Sequence, residues 1–311
     1  MTGFSRELHA FAEDPGAFVA IGPDEERILT DRYCVTFAPG DHFWSASVQW
    51  LRFHAGDVEA GVAEIRRLMA ARGRHAAAWA VGPSATPEGL VDLLLGLGLV
   101  AESDEGSLIL VLTQPPRVEP SPFDLRLVST AAEYLDAIEV GNQGFGLPAE
   151  DALDERGRAR DSFESEHAGR QSVRLLALDG DRPVATGRAW RSPFGLYLGG
   201  GATIPSDRRR GAMSAVVAAA WQEAVRRGTP ALVTFGGTMA AAVLSRSASG
   251  RSAGSGTWST GSAGELVDST AAGQQARSSF VESREADDAQ PEHRRVTYEV
   301  TLTHASVIQC L

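Results

Sequence analysis

Leu196-Tyr-Leu-Gly-Gly-Gly-Ala-Thr-Ile-Pro-Ser-Asp-Arg-Arg-Arg-Gly-Ala-Met213, followed by the apolar-periodic run Ser214 to Arg227, reads in order as a strand, a loop and the start of a helix. A strand that hands over to a helix through Gly and Pro leaves the first helical N–H groups without partners. Those donors and the helix dipole together favour an anion of phosphate size. Gly211 has no Cβ, so the backbone there can approach a ligand closely. Arg208, Arg209 and Arg210 add positive charge at the mouth of the loop, which suits a polyanion such as a pyrophosphate.

The elements around this stretch follow from periodicity. Upstream, Asp124 to Val128 reads as a strand, Ala131 to Val140 as a helix, and the charged run Ala149 to Ala168 as a second, solvated helix. Val173 to Leu178 and Pro183 to Trp190 read as strands joined through Asp179-Gly180, a hairpin turn signal, and Leu196 to Thr203 follows as a third. The helix Gly211 to Arg227 leads into a short apolar strand, Ala231 to Phe235, a crossover that makes its flanking strands parallel.

Arg208-x-x-Gly211, after a strand and before an amphipathic helix, resembles the acetyl-CoA-binding motif Arg/Gln-x-x-Gly-x-Gly/Ala of the GCN5-related N-acetyltransferases, with Met213 in the place of the last small residue. The element order β-α-α-β-β-β-α-β is also that of the family fold. The resemblance implies an α/β (α+β) fold, a mixed, mostly antiparallel sheet flanked by helices; the repeat of layout and the tail composition described below add a second such domain and a disordered C-terminal tail. It implies transfer of an acetyl group from acetyl-CoA, a co-substrate, to an amine of a small molecule or protein, with no metal. Ala202, Thr203, Ile204, Arg208, Arg209, Arg210, Gly211, Ala212 and Met213 are the implied acetyl-CoA-binding positions, with the acetyl carbonyl near the backbone of Ala202 and Thr203. In many members a Tyr just before Leu-Gly-Phe protonates the departing thiolate. That position is Leu244 here, so no catalytic residue is assigned. Two other classes stay open: a non-catalytic acyl-CoA-binding protein, and a structural or interaction protein that binds no CoA.

The first half repeats part of this pattern. Ser47 to Phe53 reads as a strand, Val58 to Ala71 as an amphipathic helix, Ala76 to Val81 as a buried strand, Pro87 to Leu97 as a helix and Ser107 to Leu112 as a closing strand. The run Ala71 to Val81 matches Val225 to Thr234 in layout, which points to a tandem duplication, the alternative being an unrelated α/β domain. The loop differs, because His54-Ala-Gly-Asp-Val58 has no arginine and its acid would repel a pyrophosphate. The expected division is a degenerate domain over 1–116, a proline-rich linker over 117–122, the acetyltransferase domain over 123–246 and a tail over 247–311.

Bulk properties narrow the function. A net charge of −11 over 311 residues lacks the broad basic face that nucleic acid or an anionic membrane surface requires, so neither is an expected partner. The two cysteines, Cys34 and Cys310, have no metal-ligand spacing and make no disulfide framework. Without an apolar run of the roughly 20 residues that span a bilayer, or a signal-peptide layout, the expected location is the cytoplasm. Lysine is absent and every basic side chain other than histidine is arginine, a mark of GC-rich coding.

Several side chains are weaker candidates. Tyr197 lies on the strand before the loop but reads as a core or rim residue. Glu139 and Glu150 lie on segments where the family's acceptor site forms. His42, Phe43 and Trp44 read as a turn cluster, His167 as a partner for its helix C-terminus, and Ser84 and Thr86 as helix-capping residues.

After Leu244-Ser245-Arg246 the sequence loses all periodicity: 247–261 is Ser/Gly/Ala-rich and reads as linker. One synonymous coding of Arg246 to Ser252, read from its third base, encodes Leu-Gly-Phe-Gly-Pro-Val, the motif expected at this point of the family fold. The reading is a frame change near Arg246, with 247–311 translated out of frame. The alternation in Arg295 to Leu302 is then accidental, the alternative being a strand on the sheet edge. Independent sequencing across codon 246 is expected to restore Leu-Gly-Phe; an uninterrupted frame in independent reads overturns this reading.

Overall fold

The computed structural model describes residues 5–40, 43–101, 107–116, 121–169, 171–236, 300–305 and 307–309. Leu244, the linker segment 247–261, most of the proline-rich stretch and His42 lie outside the described residues.

The first half opens with α1 (Arg6–Glu13), where the Ser5 hydroxyl accepts from the Leu8 N–H at 3.1 Å. It continues through β1 (Glu26–Leu29), β2 (Cys34–Phe37), β3 (Ala46–Gln49), α2 (Val58–Ala70), β4 (Ala78–Ala80), α3 (Leu90–Gly96), β5 (Val100–Ala101) and β6 (Ser107–Leu112). The second half holds β7 (Asp124–Leu127), α4 (Ala131–Phe145), α5 (Ala149–Gly169), β8 (Ser172–Asp179), β9 (Arg182–Ser192), β10 (Gly195–Thr203), α6 (Ala212–Arg226) and β11 (Leu232–Gly236). Two further strands are β12 (Val300–Ala305) and β13 (Val307–Gln309).

Two mixed sheets result, in the orders β1-β2-β3-β4-β13-β5 and β12-β6-β11-β10-β9-β8-β7. Each contains antiparallel strands followed by one parallel crossover, β3-α2-β4 in the first and β10-α6-β11 in the second. The expected duplication of layout is therefore present in the strand order. The helices α2 and α6 bury opposite kinds of stripe. Val58, Val62, Ile65 and Met69 of α2 pack on Trp79, Val35 and Val48, whereas α6 offers mostly small residues, Ala212, Val216, Ala220 and Ala224, to Leu196, Leu198 and Leu232. A small-residue stripe lets α6 lie close to β10.

The structure departs from expectation where single residues override the pattern. The strand expected over Ser47 to Phe53 ends at Gln49, because Trp50 takes φ 58° and its N–H donates to Asp14 Oδ1 at 2.8 Å. The helix expected from Pro87 starts at Leu90, and the Thr86 hydroxyl donates to the Phe53 carbonyl at 2.9 Å instead of capping it. Strands β1 and β2 have no counterpart in the sequence reading. Ser107–Leu112, expected to close the first sheet, pairs instead antiparallel with β11, from Leu232↔Leu112 to Gly236↔Leu108. Burial accounts for that choice, since Ile109 and Val111 join Val233, Phe11 and Ala12 in one cluster between the halves. In the alternating stretch Arg295 to Leu302, the described residues from Val300 belong to β12, which docks on the free edge of β6, so the edge strand and not an accidental alternation is what forms there, while β13 lies between β4 and β5.

Helix α4 carries a capping box, with the Thr130 hydroxyl accepting from Glu133 N and the Glu133 carboxylate accepting from Thr130 N, both at 3.2 Å. Near its other end Gly144 sits against β10: a Cβ there would lie 2.8 Å from Ala202 Cβ and 3.2 Å from Thr203 N. Gly141, one turn earlier, has nothing within 4 Å of its Cβ position. Urea denaturation should therefore separate two chemically identical changes. Gly141→Ala is expected to stabilise by about 0.5–1 kcal/mol through helix propensity. Gly144→Ala is expected to lose about 1–3 kcal/mol, overpacking outweighing that gain. Equal midpoints would refute the close approach of α4 to β10.

Candidate functional site at the β10–β11 divergence

β10 is paired with β9 along its whole length, from Gly195↔Ser192 to Thr203↔Ala185, with a register shift between Gly199 and Ala202. Its other edge is paired for two residues only, Leu196↔Leu232 and Tyr197↔Val233, in parallel with β11. Past that point β11 continues along β6 to Gly236, and the two parallel strands part. Gly199-Gly200-Gly201 supplies the bulge, with Gly200 at φ 59°, and Gly200 and Gly201 are exposed. A wedge thus opens from an apex at Tyr197 and Val233, with bare glycine backbone along one wall.

At the open end β10 passes through Ile204, whose N–H donates to the Val184 carbonyl at 3.0 Å, into the turn Pro205–Asp207 and then α6. Gly211 is the N-cap at φ 93°, no side chain caps the helix, and nothing stands within 4 Å of its Cβ position. The helix N-terminus therefore faces open space at a residue only glycine accommodates without strain.

The three arginines divide their work, which their identical chemistry hides in the sequence. Arg208 donates to the Gly144 carbonyl at 2.8 Å and to the Thr203 carbonyl at 3.4 Å, fastening α4 to the end of β10. Arg210 pairs with Asp207 at 2.7 Å and Asp179 at 2.8 Å, and its guanidinium lies 5.4 Å from the Phe123 ring centroid. Arg209 takes φ 65°, is exposed, and has no polar partner among the described residues. Its guanidinium is the unengaged one of the three, while Arg208, bonded only to neutral carbonyls, also keeps an uncompensated charge. Ala202 and Ala212 are buried, and Thr203 is half-buried. The Met213 thioether turns towards β10, 3.4 Å from the Cβ position of Gly201, so its bulk lies beside the bulge and not over Gly211.

Asp207 holds the loop together. It is buried, Arg182 grips it with two bonds of 2.8 Å, and Arg210 and Ser206 add to them. Arg182, with the other donors, holds its carboxyl far below the usual range.

The remaining candidates fall away from the wedge or into its lining. Tyr197 stands between Trp190 and Phe235, with ring centroids 5.6 and 5.7 Å away, and burial pushes its hydroxyl up to about 12. It is a rim aromatic. Glu139 accepts from Gln143 at 2.9 Å and from Arg156 Nε at 2.7 Å, and these donors hold its carboxyl low, which makes it a poor base. Glu150 is exposed in the first turn of α5, His167 stacks on Phe163 at 5.3 Å, and Phe43–Ser45 forms a short 3-10 turn. Sequence reasoning missed Tyr134, Glu166, Arg174 and Arg188, a cluster on the face of the sheet under α4 and α5. Its signal was available: Arg174 and Arg188 sit at inward positions of their strands, in step with Leu176 and Thr186.

Among the described residues no three His, Cys, Asp or Glu side chains are grouped to hold a metal ion, and no helix is long and apolar enough to cross a membrane.

Replacing Asp207 with Asn tests the loop. A depressed native pKa stabilises above the unfolded value and loses that contribution as the pH falls. Asp207→Asn is expected to lower the urea midpoint at pH 7, and the gap from wild type should begin to narrow below about pH 4 and shrink progressively as the pH falls further. A gap independent of pH would mean that the carboxylate charge is not what anchors the loop.

No protein-family model and no curated protein matches the chain. Among solved structures it is similar to a GCN5-related N-acetyltransferase from Kribbella flavida, at 20% identity over 68% of this chain and 79% of that one, with a TM-score of 0.51. It is similar also to a conserved protein of unknown function from Staphylococcus epidermidis, at 14% identity over 72% of this chain and 89% of that one, again with a TM-score of 0.51. A tandem GNAT protein from the clavulanic acid biosynthesis pathway aligns at 17% identity over 72% of this chain and 80% of that one, with a TM-score of 0.47. With its two crossover-bearing sheets and its parted β10 and β11, the chain has the fold of the GCN5-related N-acetyltransferase superfamily.

Proposed function

We propose that this chain is an acetyl-CoA-dependent N-acetyltransferase acting on an amine of a small molecule or protein. The observation that carries the reading is the divergence of β10 from β11 beside the uncapped N-terminus of α6. An extended thioester cofactor fits the wedge, and its pyrophosphate fits the helix end. Bound there, acetyl-CoA supplies the activated acyl group.

The chain's own residues then have distinct tasks. The N–H groups of α6 beyond Gly211 and the charge of Arg209 hold the pyrophosphate, while Arg208, Asp207 and Arg210 keep the loop in shape. Ala202, Thr203 and the glycine backbone before them flank the acyl group, where preorganised N–H donors would stabilise charge developing on the carbonyl oxygen. Met213 borders the same stretch at Gly201. In the transfer a new C–N bond replaces the C–S bond, and one proton of the amine ends on the sulfur. The first half braces the turn before β10, behind the apex of the wedge: the Ala20 N–H donates to the Arg191 carbonyl at 2.7 Å, and Phe18 packs on Phe194 at 5.7 Å. Its own loop has no arginine, and there Asp57 precedes α2.

Thermal unfolding with and without acetyl-CoA tests the reading. At ~100 times its Kd, a ligand that binds only the native state adds about 2.7 kcal/mol, a rise of several degrees in Tm. Gly211→Asp, which adds a side chain and a negative charge at φ 93°, is expected to remove that rise. A cooperatively folded wild type with no rise overturns the cofactor assignment.

A further inference from the structure

Glu166 of α5 is the one carboxylate among the groups that meet at the Arg174–Arg188 row of the sheet, and it is saturated. Its Oε1 accepts from Ser172 Oγ at 3.3 Å and forms an ion pair with Arg188 Nε at 3.1 Å, and its Oε2 accepts from Arg174 at 3.1 Å and the Tyr134 hydroxyl at 3.1 Å. Burial by itself would raise this carboxyl, but Arg174 and Arg188 outweigh it and hold it low, so Glu166 is charged. Two guanidiniums therefore share one negative charge in a setting where Glu166 and Arg174 are 10% and 14% exposed. Glu25 acts on Arg188 only weakly and is occupied by the Gly22 N–H at 2.6 Å.

The surplus cation has a direction. Arg174 is enclosed, with its guanidinium over the Tyr134 ring. Arg188 is 23% exposed, its guanidinium lies 4.4 Å over the Trp190 ring, and its Nε donates to Ser172 Oγ at 3.0 Å while lying 3.1 Å from Glu166 Oε1. Its two terminal nitrogens have no hydrogen-bond partner among the described residues. Burial pushes this guanidinium down, and Arg174 adds to that against the pull of Glu166, so a second anion here would be favourable. In the ladder Arg188 stands opposite Gly199, the first residue of the bulge. Register partners lie about 4.5–5.5 Å apart.

From this geometry we infer that Arg188 recognises a carboxylate on the acceptor, and that the acceptor is an amino acid or a similarly small molecule carrying both amine and carboxylate. This rests on the proposed acetyl transfer. With the carboxylate on the planar edge of Arg188 and Trp190 beneath it, the amine of such a molecule reaches the bulge a short step across the sheet. Cationic acceptors are disfavoured by the same surplus: a polyamine would bring a further ammonium beside two guanidiniums.

Matched pairs test the inference: glycine with glycinamide, β-alanine with β-alaninamide, and glutamine with glutamine α-amide, each assayed for acetyl-CoA-dependent thiol release and, without acetyl-CoA, for binding by calorimetry. The expected result is at least tenfold higher kcat/KM for a free carboxylate than for its amide. Arg188→Gln should raise KM for that carboxylate at least tenfold while leaving the amide and the acetyl-CoA-induced rise in Tm unchanged, and Arg188→Lys should recover part of the loss. Equal use of acid and amide, an equal effect of Arg188→Gln on both, or no acetylation of any pair by a protein that binds acetyl-CoA would overturn it. If acetyl-CoA does not bind, the acetyltransferase reading fails separately. Carboxylate binding that is lost in Arg188→Gln would then keep the anion site, and its absence would remove that too.

Discussion

A strand cannot stay hydrogen-bonded to two neighbours once those neighbours run apart, and β10 is built on that conflict. It keeps β9 throughout and gives up β11 after Tyr197, because β11 stays with β6. Exposing the freed edge is normally a liability. Here the edge lies inside the molecule's cleft, and its residues are glycines, which leave the backbone groups accessible while offering no apolar surface for association. The bulge, the close seat of α6 and the open helix end are all consequences of where that pairing stops.

Holding such a wedge open requires rigid walls. On one face the small-residue stripe of α6 brings the helix down onto Leu196 and Leu198, so the helix N-terminus is aimed by packing and not by a side-chain cap. On the other, α4 touches β10 at Gly144 and is tied there by Arg208. Asp207, itself buried, completes the arrangement by collecting the exposed Arg182 and Arg210 into one knot at the loop. Interactions with a buried carboxylate are costly to break one partner at a time, which makes this knot a positional device more than a source of net stability.

The second half was legible because its signals are local. Alternation, a capping box at Thr130 and Glu133, the Asp-Gly hairpin and the glycine before an apolar helix each act within a few residues, and the elements fall where those signals put them. What escaped the sequence was decided at long range. Strand β6 is identifiable from its own residues, but its partner is set by a cluster with Phe11 and Val233, which no local pattern announces. Trp50 ends a strand through a left-handed backbone held by Asp14, thirty-six residues away. The three arginines read as equivalent cations, and only their carboxylate and carbonyl partners separate the anchors Arg208 and Arg210 from the unengaged Arg209. Arg174 and Arg188 stand opposite each other on neighbouring strands, a pairing across the sheet that neither strand's own alternation reveals.

The pairing of β6 with β11 also sets the order in which the molecule can be completed. β6 leaves the ribosome more than a hundred residues before β11 does. At roughly 5–20 residues per second it waits on the order of ten seconds for its partner. Through that interval the nascent first half carries an unsatisfied β-strand, and the wedge cannot exist, since β11 has not arrived to diverge from β10. The two halves are thus linked in time as well as in space: the wedge appears only after the earlier half has donated a strand to the later one.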